Sequence, residues 1–373
     1  MLDGLLLVIG VIYAIQIFLF ALAVWNAHPS SHPSFRPAVS IIIAARNEEQ
    51  NIRQCLESIS RLSYPPHLLD VVFVDDRSTD STHAIIQEFA QSHPHCRVIV
   101  AAEGSEHLRG KSNAVVQGIE SSKGEFLLFT DADCVVPEYW VEETVGQYED
   151  DTVGLVAGFT SLRPRSWFES MQALDWFFLY SVAAGVLRLN FPVTAVGNNL
   201  SVRRKAYDHV GGFRKIPFSV TEDYALFHAI TSDGTYTARF ALNEATLVES
   251  HGCETWAQLY RQKKRWFVGG RDMHASRLLV FGVAYLFNVL LLYAMLAPGV
   301  SFPWVALTLK VVPDFFMTLP ALAAFKRWKL IRHYPLFEIY YFFYVLIFPV
   351  VALFWREIVW KERTIERGGT LQE

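Results

Sequence analysis

The sequence is poor in charge and in cysteine. Charged residues fill 19% of its 373 positions, against roughly 25% in an ordinary soluble domain. The 33 Lys+Arg nearly balance the 37 Asp+Glu, leaving a formal charge of −4. A nucleic-acid binder carries a basic face or stripe, and this balance excludes one. Hydrophobic residues reach 52%, which excludes a disordered chain and exceeds what a water-facing surface can use. Part of the chain is therefore expected in lipid. The four cysteines, Cys55, Cys96, Cys134 and Cys253, are far apart and form no C-x-x-C pair, so neither a zinc nor a thiol-redox motif is present. They are expected to be buried thiols of a cytosolic domain, where structural disulfides are rare.

Basic residues are also lacking ahead of the first apolar block. The first apolar block, Gly4 to Trp25, has no charged residue, and the acid Asp3 precedes it. A secretory signal peptide has a basic n-region and a shorter apolar core. At ~1.5 Å per residue the block crosses the roughly 30 Å hydrocarbon core, so residues 1–27 read as a membrane anchor. Three more blocks, Leu278 to Ala297, Val300 to Phe325 and Leu336 to Trp355, make residues 278–355 a second membrane region. A polar tail, 356–373, follows. The middle block holds Lys310, Asp314 and prolines, so it either spans with a bend or dips in and returns; the last carries Glu338. Charges at that depth face protein or water. If every block spans and the middle domain is cytoplasmic, Lys326, Arg327, Lys329 and Arg332 lie inside, as basic loops prefer. Arg356, Lys361, Arg363 and Arg367 then lie outside. A re-entrant second block exchanges the two clusters. The compact length suits a bacterial inner (plasma) membrane.

Residues 37–277 read as an α/β domain. Short apolar runs at Val39–Ala45, Val71–Asp75, Val98–Ala101 and Phe126–Thr130 alternate with helical patterns at Asn47–Ile59, Ser81–Ala90 and Ser112–Ile119. Such runs form a mostly parallel sheet covered on both faces. Its ligands sit beyond the carboxyl ends of the strands.

The informative acids stand at those ends. Asp75 and Asp76 close one strand; Ser78 and Asp80 after them are explained by turn and capping chemistry, but two adjacent acids are not. Asp131 and Asp133 follow Phe126–Thr130, and carboxylates at i, i+2 in a loop converge readily on one hard cation. Thr221-Glu222-Asp223 precedes a helical stretch, where Thr221 is placed to cap and the acids suit the helix dipole. A carboxylate there is equally placed to serve as a general base. Gln262, Arg265 and Trp266 share one face of a helix starting at Trp256, and Lys263 and Lys264 read as interfacial anchors. Ser166 to Leu189, which includes Trp167, Phe168, Met171, Leu174, Trp176, Phe177, Phe178 and Tyr180, is expected to lie against the bilayer.

In this order the four groups resemble the membrane-integrated family 2 glycosyltransferases, similar to ceramide glucosyltransferases and the chitin/hyaluronan synthase branch. Ala45-Arg46-Asn47-Glu48, Gly110-Lys111-Ser112-Asn113-Ala114, Val196-Gly197-Asn198-Asn199-Leu200 and Gly211-Gly212-Phe213 match as well. The resemblance spans roughly Pro37 to Trp266. It implies a GT-A (Rossmann-like) catalytic domain, a nucleotide-sugar donor (most often a UDP-sugar), Mg²⁺ or Mn²⁺, and an acceptor in the membrane. It implies donor contacts at Ala45, Asn47, Glu48, Asp75, Asp76, Lys111, Asp131, Gln262 and Arg265, and acceptor contacts at Trp266 and Glu222. Asp131 and Asp133 match the metal-binding D-x-D, and Asp223 matches the catalytic base. Arg77 stands where many members carry Gly. The expected reaction is an inverting sugar transfer to a lipid or other membrane-soluble hydroxyl. A processive or short-oligomer polysaccharide synthase is the alternative. A catalytically inactive scaffold would have little reason to keep Asp131, Asp133 and Asp223 together.

Overall fold

The computed structural model describes residues 2–26, 35–104, 108–217, 219, 221–270, 275–297, 300, 302–354, 357–360, 363–366 and 371–372. Along the chain run α1 (Leu2–Trp25), β1 (Val39–Ala45), α2 (Ile52–Ser60), β2 (Leu69–Asp75), α3 (Thr82–Ser92), β3 (Cys96–Val100), α4 (Gly110–Ser121) and β4 (Phe126–Thr130). Next come α5 (Trp140–Val145), β5 (Val153–Gly158), β6 (Thr160–Leu162), α6 (Trp167–Arg188), β7 (Asn199–Arg203), α7 (Arg204–His209), α8 (Gly212–Lys215) and α9 (Glu222–Ser232). The remainder is β8 (Thr237–Ala241), β9 (Val248–Ser250), α10 (Trp256–Gly270), α11 (Ala275–Leu296), α12 (Pro303–Ala324) and α13 (Tyr334–Phe354), then β10 (Glu357–Trp360), β11 (Arg363–Glu366) and β12 (Leu371–Gln372). The chain divides into two compact units: residues 28–161 with 194–251, and residues 1–27 with 162–193 and 252–373.

The first unit is built on a seven-stranded sheet of order β3-β2-β1-β4-β7-β5-β8. Strands β1 to β4 pair in parallel, as does β5 with β8, while β7 runs antiparallel to β4 and β5. The apolar runs become strands because both faces are covered: Val39, Ile41, Val71, Phe73, Phe126 and Leu128 are buried on one face, and Ile42, Val72, Val74 and Leu127 on the other. On α2, Ile52, Cys55, Leu56 and Ile59 are buried at i, i+3, i+4 and i+7, the stripe of a helix laid on a sheet. That helix starts at Ile52 rather than Asn47, because Asn47 adopts a left-handed conformation with φ 51°. Cys55, Cys96 and Cys134 are buried and Cys253 is half-buried, all as free thiols.

In the second unit, among the described residues, three helical segments are long and apolar enough to cross a membrane: Asp3–Trp25, Pro303–Ala324 and Trp328–Val351. Within α11, Phe281–Leu296 is a shorter apolar helix among the described residues. α12 continues as one helix through Pro313 and Pro320. Its charges are enclosed by protein. Lys310 Nζ lies 2.7 Å from Asp314 Oδ2 and 2.6 Å from Glu338 Oε1. Tyr13 of α1 donates to Asp314, and Tyr334 donates to Glu338 Oε2 at 3.0 Å. The polar groups thus tie α1, α12 and α13 together, the usual resolution of charge at this depth.

One expectation changes here. Helix α6 is buried along nearly its whole length, packed among α1, α12 and α13, instead of resting on the bilayer. It turns no polar face outward, because Glu169, Gln172 and Asp175 are themselves buried and bonded within the protein. At Gly185 an added Cβ would stand 2.6 Å from the Phe20 carbonyl oxygen, so α1 and α6 meet backbone to backbone. Beyond α13, β10 to β12 form an antiparallel ribbon within the polar tail. Arg356, Lys361 and Arg367 lie outside the described residues.

Candidate active site

The carboxyl ends of β1, β2 and β4 are adjacent, since Ala45 registers with Asp75 and Ile42 with Phe129. Asp75 and Asp76 therefore emerge beside the loop after Ala45, and both are buried. Asp75 has a turn role: its Oδ1 accepts from the Ser78 amide at 3.0 Å. Its Oδ2 lies 3.3 Å from His83 Nδ1, a partner that sequence patterning gave no reason to suspect. The Asp76 carbonyl accepts from Arg46 Nη1 at 2.7 Å. Asn47 and Glu48 fasten this corner. Asn47 Oδ1 accepts from the Thr79 amide at 2.9 Å, and the Glu48 amide donates to Thr82 Oγ1 at 2.8 Å. Arg77 has φ 57°, a left-handed conformation that favours glycine. That is the physical reason for a Gly preference at this position.

A cleft at the β4 end is lined by Ala44, Lys111, Thr130, Asp131, Gly197, Glu222 and Asp223, over an apolar floor that includes Ile42, Phe129 and Leu226. Lys111, in the first turn of α4, places Nζ 2.6 Å from Asp131 Oδ1 and 3.5 Å from Glu222 Oε1. Burial alone would lower its pKa, but Asp131 and Glu222 outweigh that and hold it above the ordinary lysine value. The ammonium stays charged.

Asp223 is held by two backbone donors. The Gly197 amide reaches Oδ2 at 2.7 Å and the Tyr224 amide reaches Oδ1 at 2.8 Å. Burial, with Glu222 beside it, pushes its pKa up to about 6 despite those bonds and Lys111. Gly197 approaches so closely that an added Cβ would lie 3.1 Å from Asp223 Cβ. The Val196–Leu200 motif thus has a concrete task here that its sequence did not disclose. Thr221 stands at the N-cap of α9, but its side chain makes no capping bond; its amide donates to Ser219 Oγ at 3.2 Å.

Asp131 and Asp133 present carboxylates at i, i+2 in the loop after β4. Among the described residues no three His, Cys, Asp or Glu side chains converge as a cage for a metal. Mg²⁺ or Mn²⁺ needs none, since such ions are held through one or two carboxylates plus substrate phosphates. The donor set fits. Gln262, Arg265 and Trp266 belong to α10 in the second unit. Lys263, expected at the lipid interface, is instead fully buried and paired with Asp175 of α6.

The model of Glycosyl transferase family 21 matches residues 5–370. The beta-monoglucosyldiacylglycerol synthase of Synechocystis sp. is 28% identical over 249 residues, 63% of this chain and 48% of that protein. The poly-beta-1,6-N-acetyl-D-glucosamine synthase of Staphylococcus epidermidis is 26% identical over 248 residues, 63% of this chain and 55% of that protein. The chain spans about half the length of the curated relatives it matches. Among solved structures, the mannosyltransferase PcManGT from Pyrobaculum calidifontis, in complex with GDP-Man and Mn²⁺, aligns with a TM-score of 0.59 at 20% identity. That alignment covers 91% of this chain and 99% of the mannosyltransferase, and it shows a shared GT-A fold. Family 21 is family 2-like, in keeping with the resemblance carried by the motifs. With residues 5–370 matched, the chain belongs to glycosyl transferase family 21.

Proposed function

We propose that the chain transfers a sugar from a nucleotide-diphosphate sugar, most simply a UDP-sugar, to a hydroxyl of a membrane lipid, with inversion at the anomeric carbon. The observation that carries this is Asp223: a carboxylate fixed by two amides in a cleft at the strand ends, with a pKa of about 6. Such a group is ionised near neutrality and still basic enough to take a proton. Asp223 accepts the proton of the acceptor hydroxyl as that oxygen forms its bond to the anomeric carbon. The carbon–oxygen bond to the diphosphate breaks, and its electron pair leaves with the nucleoside diphosphate. Mg²⁺ or Mn²⁺ held by Asp131 and Asp133 would supply charge neutralisation to that leaving group.

The chain's own cations act to the same end. Lys111 and Arg265 are assigned to the diphosphate, where fixed positive charge favours the charge that develops. Ala45, Asn47, Glu48, Asp75 and Asp76 are assigned to the base and ribose, with Gln262 beside the diphosphate. Glu222 and Trp266 are assigned to the acceptor. The apolar spans and the glucosyldiacylglycerol synthases among the relatives favour a lipid acceptor; the sheet unit is assigned to the cytoplasmic side. The polysaccharide synthase among the relatives supports a second reading, processive addition to a growing glycan.

Membranes carrying the protein, incubated with radiolabelled UDP-sugars, Mg²⁺ or Mn²⁺ and total lipid extract, test this. Label is expected in the organic phase and absent without metal. Label confined to a high-mass aqueous product would overturn the lipid reading in favour of polymer synthesis. Gly197→Ala gives a finer check. Its Cβ would stand 3.3 Å from Asp223 Oδ2, so the carboxylate must shift. Turnover is expected to fall at least about 10-fold, since small misplacements of reacting groups are costly, with little change in melting temperature. Full activity in that variant would contradict the requirement for the close approach of Gly197 to Asp223.

A further inference from the structure

Lys263 sits inside the Gln262–Trp266 motif yet faces away from solvent. Its side chain and that of Asp175 are both fully buried and paired. The ammonium lies over two rings, 4.2 Å from the centroid of Trp266 and 4.8 Å from that of Tyr344. Trp176, next to Asp175 on α6, meets the Trp266 ring at 5.6 Å. Two consecutive residues of α6 therefore grip two residues of α10 that are one turn apart, and Trp266 is common to both grips.

Stability does not explain the pair. Burial pushes the Lys263 pKa down and that of Asp175 up, so desolvation outweighs the attraction. Asp175 Oδ1 has no hydrogen-bond partner among the described residues. Apolar side chains of similar volume in such a place are often neutral or stabilising. What the charges add is direction: a cation held over an aromatic face fixes that face.

We propose that Asp175 and Lys263 are positioning residues for Trp266, holding its ring in the orientation that meets the acceptor. This rests on the acceptor role proposed for Trp266. Gln262 and Arg265 flank Lys263 on the same helix, so the clamp also fixes their register.

The test replaces the pair as a pair, because either single change strands a buried charge. Asp175→Leu combined with Lys263→Met removes both charges and keeps the space filled. Full-length protein labelled with 5-fluorotryptophan is examined by ¹⁹F NMR in nanodiscs, the Trp266 resonance being assigned from its loss in Trp266→Phe. In the double variant that resonance is expected to move or broaden, while that of Trp140, buried in the sheet unit, stays in place. With dioleoylglycerol as acceptor, the acceptor KM is expected to rise about 10-fold, the scale of one lost contact, with the donor KM unchanged. An unmoved Trp266 resonance, or an unchanged acceptor KM beside a moved one, overturns the proposal. If wild-type protein transfers no sugar, the proposed function fails and the resonance alone decides the clamp.

Discussion

Replacing Asp223 with Asn is expected to leave donor binding intact and to cut turnover by about 10²–10⁴-fold, the usual worth of a positioned general base. The amide matches the carboxylate in size but cannot take a proton. It also accepts through one atom only, so one of the two backbone donors, Gly197 or Tyr224, would face an N–H instead of an oxygen. A thermal melt therefore accompanies the kinetics. A folded variant that binds UDP as well as wild type and turns over slowly is the expected outcome. Unchanged turnover would remove Asp223 from the chemistry.

The pH dependence carries the same argument. With a pKa pushed up to about 6 by burial and Glu222, the ionised base accumulates as pH rises through that value. Turnover is expected to fall on the acid side with a midpoint near it, and residual turnover in Asp223→Asn to lose that limb. Stability moves in the opposite sense. The folded-state pKa lies above the unfolded value, so the protonated carboxyl favours the fold, and this contribution is lost as pH rises through about 6. Glu222→Gln should move the acid limb down in pH, because it removes the neighbouring negative charge.

Much of this site was legible in the sequence because its groups sit at strand ends, and strands betray themselves as short apolar runs. Asp75, Asp76, Asp131 and Asp133 each follow such a run, and the parallel register of β1, β2 and β4 brings their ends together. The helices were harder. Residues 47–51 have helical composition, yet Asn47 turns left-handed to reach Thr79, a contact 32 residues along the chain that no local pattern encodes. α6 carries the residues of a membrane-surface helix, and composition cannot distinguish lipid from protein as the apolar surroundings. Lys263 was misread for a related reason. A lysine beside aromatics looks interfacial until its partner is found 88 positions away, at Asp175.

Asn199→Leu is expected to cost the fold about 3–5 kcal/mol, beyond the usual 0.5–3 for a point change. Asn199 is buried at the start of β7, opposite Thr130 in the ladder. Its Oδ1 accepts from Trp140 Nε1 at 3.0 Å, and its Nδ2 donates to the carbonyls of Phe159 and Thr246 at 2.7 and 2.9 Å. Leucine has the same branched four-atom skeleton with bulkier methyls, so no cavity opens and crowding only adds to the cost. What is lost is a partner of three buried groups: the Phe159 carbonyl keeps the Val248 amide at 3.2 Å, while Trp140 Nε1 and the Thr246 carbonyl lose theirs, and each orphaned group costs about 1–3 kcal/mol. Relaxation has little room, since a Cβ at Gly158 would already fall 2.2 Å from Nδ2. Against a total stability of about 5–15 kcal/mol, the variant should unfold at markedly lower denaturant or accumulate poorly. A shift under about 1 kcal/mol would mean that Trp140 Nε1 and the Thr246 carbonyl find other partners. Asn199 lies in the same motif as Gly197, yet the two are expected to fail differently. Gly197→Ala should lose turnover with its fold intact. Asn199→Leu should lose activity only in proportion to the protein that unfolds, with KM unchanged in the folded remainder.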